Sequence, residues 1–93
     1  GVHWVFAPVL DVNNNPANPI INVRSFGADP DLVARLGSAF VRGVQSEGLL
    51  ACGKHFPGHG FVDSDSHLAV ATVPGDRAAL ERTELRPFAA AIE

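Results

Sequence analysis

Side chains that transfer protons or donate hydrogen bonds are concentrated between positions 54 and 67. The clearest of them form the triplet Asp65-Ser66-His67, which lies in a segment that contains several glycines. A carboxylate two residues before a histidine can accept a hydrogen bond from one imidazole nitrogen, which fixes the tautomer and leaves the second nitrogen to move protons. The triplet therefore predicts a general acid/base, in which His67 carries the proton and Asp65 orients the ring.

The pair Lys54-His55 precedes this triplet and lies near the end of an apolar segment. A lysine and a histidine side by side offer several hydrogen-bond donors to hydroxyl or anionic oxygens. Each group also has a simpler interpretation, because the triplet alone is typical of an Asx turn with a solvated histidine and the pair alone of a structural ion pair. Phe56-Pro57 follows directly, and a cis peptide bond there would form a rigid turn that places the pair.

A metal site is a further interpretation of the same segment. Five potential ligands lie within thirteen residues, and they are His55, His59, His67, Asp63 and Asp65. Zinc sites on helices use HExxH-type spacing and structural sites usually contain cysteine pairs, and neither pattern is present. The GHG sequence at 58–60 also lacks the spacing of a phosphate-binding loop. We therefore expect neither a metal ion nor another cofactor.

The elements that must position these side chains alternate along the chain. Residues 2–10 and 49–56 are predicted strands, and the first is a continuous apolar run, as in a parallel sheet covered on both faces. An N-cap aspartate, a proline and a one-sided apolar stripe predict an amphipathic helix from Asp29 to about Glu47. A second helix is predicted over 77–85, and Pro87 is expected to begin another.

This order predicts an α/β fold. Strands that alternate with helices imply parallel pairing and right-handed crossovers. Two parallel strands cannot form a covered sheet, and a (β/α)₈ barrel needs about 250 residues. The sequence is therefore interpreted as a fragment of a TIM-type barrel, about two β-α units long.

A barrel would also gather the polar residues at one rim, where the carboxyl ends of its strands lie. Asp11 ends the first predicted strand, and Arg24 lies in the loop that follows it. Lys54 and His55 end the second, and the acid/base triplet lies in the next loop. This convergence favours a functional site over the simpler interpretation of each group.

Composition excludes several classes of protein. The chain is 46% hydrophobic with a formal net charge of −3, which is too apolar for a disordered segment. It contains no basic run that would indicate nucleic-acid binding and no apolar run long enough to cross a membrane. The single cysteine, Cys52, rules out an internal disulfide and favours a reducing compartment.

Four segments, in this order, resemble glycoside hydrolase family 3, and more narrowly its bacterial β-N-acetylglucosaminidase (β-hexosaminidase) branch. They are FAPVLDV (6–12), INVRSFGADP (21–30), GKHFPGHG (53–60) and DSDSH (63–67). Family 3 β-glucosidases share the lysine–histidine pair but lack the DSH loop, so the branch assignment rests on Asp65 and His67. The resemblance implies that residues 1–93 are part of the N-terminal catalytic barrel domain.

The resemblance also implies a role for each matching residue. His67 would be the general acid/base and Asp65 its partner in a dyad. Lys54, His55 and Arg24 would bind the sugar in the −1 subsite. The branch is retaining, and its nucleophilic aspartate lies on a later strand, outside these 93 residues, so this segment alone is expected to be inactive. The substrate would be terminal β-linked N-acetylglucosamine from peptidoglycan-derived (muropeptide) or chitin-derived sugars.

Two alternatives remain open at this stage. A family 3 relative can act on another β-sugar or work as a phosphorylase, and the histidine cluster can belong to a noncatalytic or metal-binding module.

One departure from the branch is Phe61-Val62, where relatives commonly have Asp-Thr. The cellular compartment is left open, with the cytoplasm favoured over export or lipid anchoring. Trp4 is expected in the core rather than on a sugar-binding surface.

Overall fold

The structure, a computed structural model, describes residues 1–65, 67–70, 72 and 75–93. Ser66, the middle residue of the acid/base triplet, lies outside the described residues. The elements, in chain order, are β1 (Trp4–Val5), a short 3₁₀ helix (Asn22–Arg24), α1 (Pro30–Ser46), β2 (Leu50–Ala51), α2 (Arg77–Arg82) and α3 (Arg86–Ile92). This is the α/β order that the sequence predicts.

The two strands pair in parallel, as predicted. Trp4 lies opposite Leu50 and Val5 lies opposite Ala51. The regular strands are much shorter than the predicted ranges 2–10 and 49–56, and this part of the prediction is wrong.

Beyond the regular strands, the two segments stay joined by single hydrogen bonds. Cys52 N donates to Ala7 O at 2.9 Å, and Leu10 N donates to Lys54 O at 2.6 Å. The register changes by one residue before the bridge between Val9 and Lys54. Pro8, which has no N–H to donate, lies at this irregularity and explains why the ladder is interrupted.

Helix α1 has the predicted ends. The Asp29 carboxylate caps it by accepting from Asp31 N at 2.9 Å, and Glu47 is its C-cap. Gly48 follows with a φ of +79°, a conformation that glycine adopts without steric cost. The buried side of α1 includes Val33 and Gly37, and α1 packs on β2 and α3.

The second helical region differs slightly from the prediction over 77–85. Asp76 caps α2 by accepting from Ala79 N at 2.9 Å, but the helix ends at Arg82 and α3 begins at Arg86, one residue before Pro87. A proline ring clashes with the carbonyl four residues earlier in a helix, which here belongs to Thr83. The break at Thr83 therefore follows from Pro87.

One apolar face of the strand segment is open to solvent. The side chains of Val2, Trp4 and Phe6 alternate along the chain and are 67%, 56% and 67% exposed. Trp4 packs edge-to-face on Phe6 with 5.2 Å between ring centroids, so the prediction of a core tryptophan is wrong for this structure. The buried core lies on the helix side, around Leu10, Val33 and Phe88. Within the described ranges, the helices are too short or too polar to cross a membrane.

Candidate active site

A buried carboxylate organises the carboxyl ends of the two strand segments. Asp11 is 0% exposed, and its Oδ2 accepts from the backbone N of His55 at 3.1 Å and contacts the ring Nδ1 of His55 at 2.7 Å. Its Oδ1 accepts from the backbone N of His59 at 2.6 Å. Both carboxylate oxygens are therefore used to hold the turn over 55–59 against the end of the first strand segment.

A second buried polar side chain joins the two loops that follow the strands. Asn18 Nδ2 donates to His59 O at 2.6 Å and to Val62 O at 2.7 Å. Its Oδ1 accepts from the backbone N of Ile20 at 2.9 Å and of Ile21 at 2.8 Å. With four hydrogen bonds at 3% exposure, Asn18 is fully satisfied and links the first loop to the second.

The same two loops also touch backbone to backbone. A Cβ added at Gly60 would lie 1.9 Å from the carbonyl oxygen of Val12, so only glycine fits at this position. The Ser25 hydroxyl lies 2.6 Å from the carbonyl oxygen of Asp11 and braces the first loop from the other side. Contacts between the two loops therefore hold the segment that follows the lysine–histidine pair in place.

The predicted acid/base residues are in contact. His67 Nδ1 lies 3.0 Å from Asp65 Oδ1, and the same oxygen accepts from the backbone N of His67 at 2.9 Å. The His67 side chain is 88% exposed, whereas that of Asp65 is 29% exposed. The pair thus presents an oriented imidazole to solvent, the geometry that proton transfer to a bound ligand requires.

The pKa of the Asp65 carboxyl is lowered from its ordinary value. The largest cause is the hydrogen bond from the backbone N–H of His67. Desolvation opposes this effect and raises the pKa, whereas the hydrogen bond with the His67 side chain and the charges of His67 and His59 lower it further. Any stability the contact contributes is present above the unfolded carboxyl pKa and is lost as the pH falls through the lowered value.

We expect ¹³C NMR titration of Asp65 to show a midpoint below 3.8, its ordinary value. In His67→Ala the midpoint should rise only part of the way, because alanine keeps the backbone N–H that is the largest cause. A midpoint at or above the ordinary value in the unsubstituted protein would contradict the contact.

Lys54 and Arg24 are the other residues predicted to bind the sugar. Lys54 is fixed through its backbone, because its N donates to Pro8 O at 3.1 Å and its O accepts from Leu10 N. In the part of the chain that the structure describes, no ion pair includes the Lys54 ammonium, whereas His55 pairs with Asp11. The structural contact with a carboxylate is therefore made by the histidine and not by the lysine.

Arg24 is exposed at the end of the 3₁₀ helix, where its Nη1 donates to Ile20 O at 3.3 Å. No hydrogen bond joins it to Lys54, His55 or the described residues of the acid/base triplet. The structure thus gathers the lysine–histidine pair at the strand ends and leaves Arg24 in the adjoining loop.

The hypothesis of a cis bond at Phe56-Pro57 agrees with the structure, and the Ala7-Pro8 and Lys54-His55 bonds are also cis. The rings of His55 and His59 meet edge to face with 6.1 Å between centroids.

Among the described residues, no group of three or more histidine, cysteine, aspartate or glutamate side chains is placed to hold a metal ion.

Sequence reasoning placed Asp11 at the rim without assigning it a role, and it missed Asn18. The role of Asp11 could have been found, because a lone carboxylate that ends an apolar strand must be paired if it is buried. Asn18 gave no such signal, since it is one of several asparagines in a loop where any of them suits a turn.

Comparisons with known proteins identify the family of the chain. A family model described as the N-terminal domain of glycosyl hydrolase family 3 matches residues 1–93. The chain is 46% identical over 93 residues to β-hexosaminidase A of Pseudoalteromonas piscicida, and the match covers all of this chain and 16% of that enzyme.

Solved structures give the same result. A family 3 β-N-acetylglucosaminidase from Paenibacillus sp. str. FPU-7 is 57% identical with a TM-score of 0.95, over 97% of this chain and 17% of its own. The β-glucoside phosphorylase BglX is 38% identical with a TM-score of 0.94, over 99% of this chain and 17% of its own. The chain thus spans about a sixth of the length of these relatives.

These matches confirm both the predicted family and the predicted fold, a piece of a TIM-type barrel. Every part of the chain takes part in the family match, including both strand segments and the two loops that carry the candidate site. The protein therefore belongs to glycoside hydrolase family 3.

Proposed function

We propose that this chain supplies part of the active site of a retaining hydrolase that removes terminal β-linked N-acetylglucosamine. The observation that carries the proposal is the contact between Asp65 and His67, whose ring is oriented by a carboxylate and open to solvent. The relatives named β-hexosaminidase and β-N-acetylglucosaminidase support the choice of sugar.

In this proposal His67 moves the proton in both steps. It first protonates the glycosidic oxygen through Nε2 while a carboxylate nucleophile attacks the anomeric carbon and the bond to the leaving oxygen breaks. In the second step it accepts a proton from water, which attacks the glycosyl-enzyme and releases the nucleophile. Asp65 holds Nδ1 and stabilises the imidazolium, which donates its proton in the first step and forms again in the second.

The nucleophile is not among these residues. Asp76 is the only aspartate after His67, and its carboxylate caps α2. We place the nucleophile in a later part of the full-length enzyme, as the family resemblance implies. The 93 residues would then contribute the acid/base dyad and part of the sugar-binding surface, and would not act alone.

Lys54, His55 and Arg24 are proposed to bind hydroxyls of the sugar. The Lys54 ammonium is not engaged in an ion pair within the described residues, and the side chain of His55 is 34% exposed beside it. Because lysine and arginine donate hydrogen bonds and an imidazole nitrogen can donate or accept one, these side chains suit a ligand that offers several hydroxyl groups.

The test is an assay of the full-length enzyme on chromogenic β-N-acetylglucosaminide and β-glucoside, each with and without inorganic phosphate. The proposal expects the N-acetylglucosaminide to be cleaved with a higher kcat/KM and with retention, and the rate to be independent of phosphate. A folded enzyme that inverts, or that prefers the glucoside, would contradict it.

A β-glucoside phosphorylase is the second candidate, because BglX matches the chain at a TM-score of 0.94. An acid/base that is a histidine carries no negative charge when it has given up its proton. An anionic phosphate can therefore approach in place of water without repulsion from it. Formation of a sugar 1-phosphate in the assay above would favour this candidate over hydrolysis.

A further inference from the structure

The Asp11 carboxylate contacts His55, a residue predicted to bind the sugar, although the sequence analysis assigns Asp11 no role in the site. It is fully buried, and it reaches the ring of a residue 44 positions away in the chain. Two backbone N–H groups, those of His55 and His59, donate to its two oxygens, and the ring Nδ1 of His55 lies within hydrogen-bond distance of Oδ2. A carboxylate surrounded in this way is an acceptor at every contact.

This arrangement determines where the His55 ring carries its proton. At 2.7 Å from a carboxylate oxygen that accepts only, Nδ1 must carry the hydrogen. In the neutral imidazole, Nε2 then has a lone pair and no hydrogen. Among the described residues Nε2 makes no hydrogen bond, and the side chain is 34% exposed, so this nitrogen is available to a ligand.

We infer that Asp11 is a positioning residue for sugar recognition: it holds His55 with the proton on Nδ1, so that Nε2 accepts a hydrogen bond from a sugar hydroxyl. Lys54, the neighbouring residue, offers only donors. Lys54 would donate to the lone pair of one hydroxyl oxygen, whereas His55 Nε2 would accept the hydrogen of another hydroxyl. The pair would therefore discriminate between sugars whose hydroxyls have different orientations on the ring. This inference rests on the proposed function, in which His55 binds the sugar.

The first test measures the tautomer without any assay. Full-length enzyme labelled with ¹⁵N-histidine is studied by long-range ¹H–¹⁵N NMR under conditions where the ring is neutral, and His55 is assigned by the loss of its signals in His55→Ala. We expect Nδ1 to be the protonated nitrogen and Nε2 the unprotonated one. A ring protonated on Nε2 would overturn the inference, even if every variant at position 11 failed to fold.

The second test separates positioning from general support. Asp11→Asn replaces one acceptor oxygen with an NH₂ group, so at least one of the three N–H donors loses its partner. We expect kcat/KM for the preferred β-glycoside to fall about 10-fold, mainly through KM, in the otherwise unsubstituted enzyme. In a His55→Ala background the same change should cost about 2-fold or less, because the ring that Asp11 positions is gone.

An equal loss in both backgrounds would mean that Asp11 only supports the loop, and would overturn the inference. Asp31→Asn, which alters an exposed carboxylate on α1, is the matched control and should leave kcat/KM unchanged. If the full-length enzyme cleaves no glycoside, the proposed function fails, whereas the NMR result still reports on the Asp11–His55 contact. The two failures are therefore distinguishable.

Discussion

Replacing His67 with alanine in the full-length enzyme is expected to lower kcat by about 10²- to 10⁴-fold, the usual size of a general acid/base contribution. Without the imidazole, the departing oxygen leaves as an anion and the attacking water has no base. The backbone contact from residue 67 to Asp65 survives in alanine, so the loop should keep its fold. Steady-state kinetics on an aryl β-N-acetylglucosaminide measure the effect.

The dependence on the leaving group identifies the role of the histidine. Substrates with very good leaving groups need no proton, so His67→Ala should slow their glycosylation step much less than that of poor leaving groups. His3→Ala, which removes an exposed histidine just before β1, is the control and should leave both rates unchanged. Equal losses for good and poor leaving groups in the glycosylation step would contradict the acid role.

Gly60→Ala is expected to destabilise the domain by about 3 kcal/mol, the upper part of the range for overpacking. The added Cβ would lie 1.9 Å from Val12 O and 2.6 Å from its carbonyl carbon, and Gly60 is buried. Both atoms belong to the backbone, so no side-chain rotation can relieve the overlap. The two loops would have to separate, which also breaks the hydrogen bonds of Asn18 to the second loop.

Urea unfolding of the full-length enzyme measures this prediction. Gly43→Ala is the matched control, because a Cβ there meets nothing within 4 Å and the residue lies inside α1. It should raise the free energy of unfolding by about 0.5–1 kcal/mol through helix propensity. If both variants were equally stable, the close approach of the loops would be absent in solution.

The local signals in the sequence predicted the helix best. The start of α1 is predicted by Asp29 and Pro30, and its extent by the apolar stripe, because capping and periodicity act within a few residues. The strands were predicted in the right places but too long. A ladder depends on which N–H groups face the partner strand, and a proline inside an apolar run does not show where the register changes.

Of the contacts around the candidate site, the sequence predicted the local one and not the long-range ones. Asp65 and His67 are two residues apart, so their contact is a local matter that spacing can predict. The contact of Asp11 with His55 and His59 joins distant segments, and single-sequence patterns carry no information on such pairs. Trp4 was misplaced for the same reason, since its exposure depends on what lies against the strand face.

The four hydrogen bonds of Asn18 have a consequence for protein engineering. Two of them hold its own loop and two hold the loop after β2, all within 2.6–2.9 Å. If the PGHG loop alone were grafted onto another barrel, the graft would lack its Asn18 partner and two carbonyls would be buried without a donor. Residues 11–27 and 54–62 should therefore be transplanted together, as one structural unit.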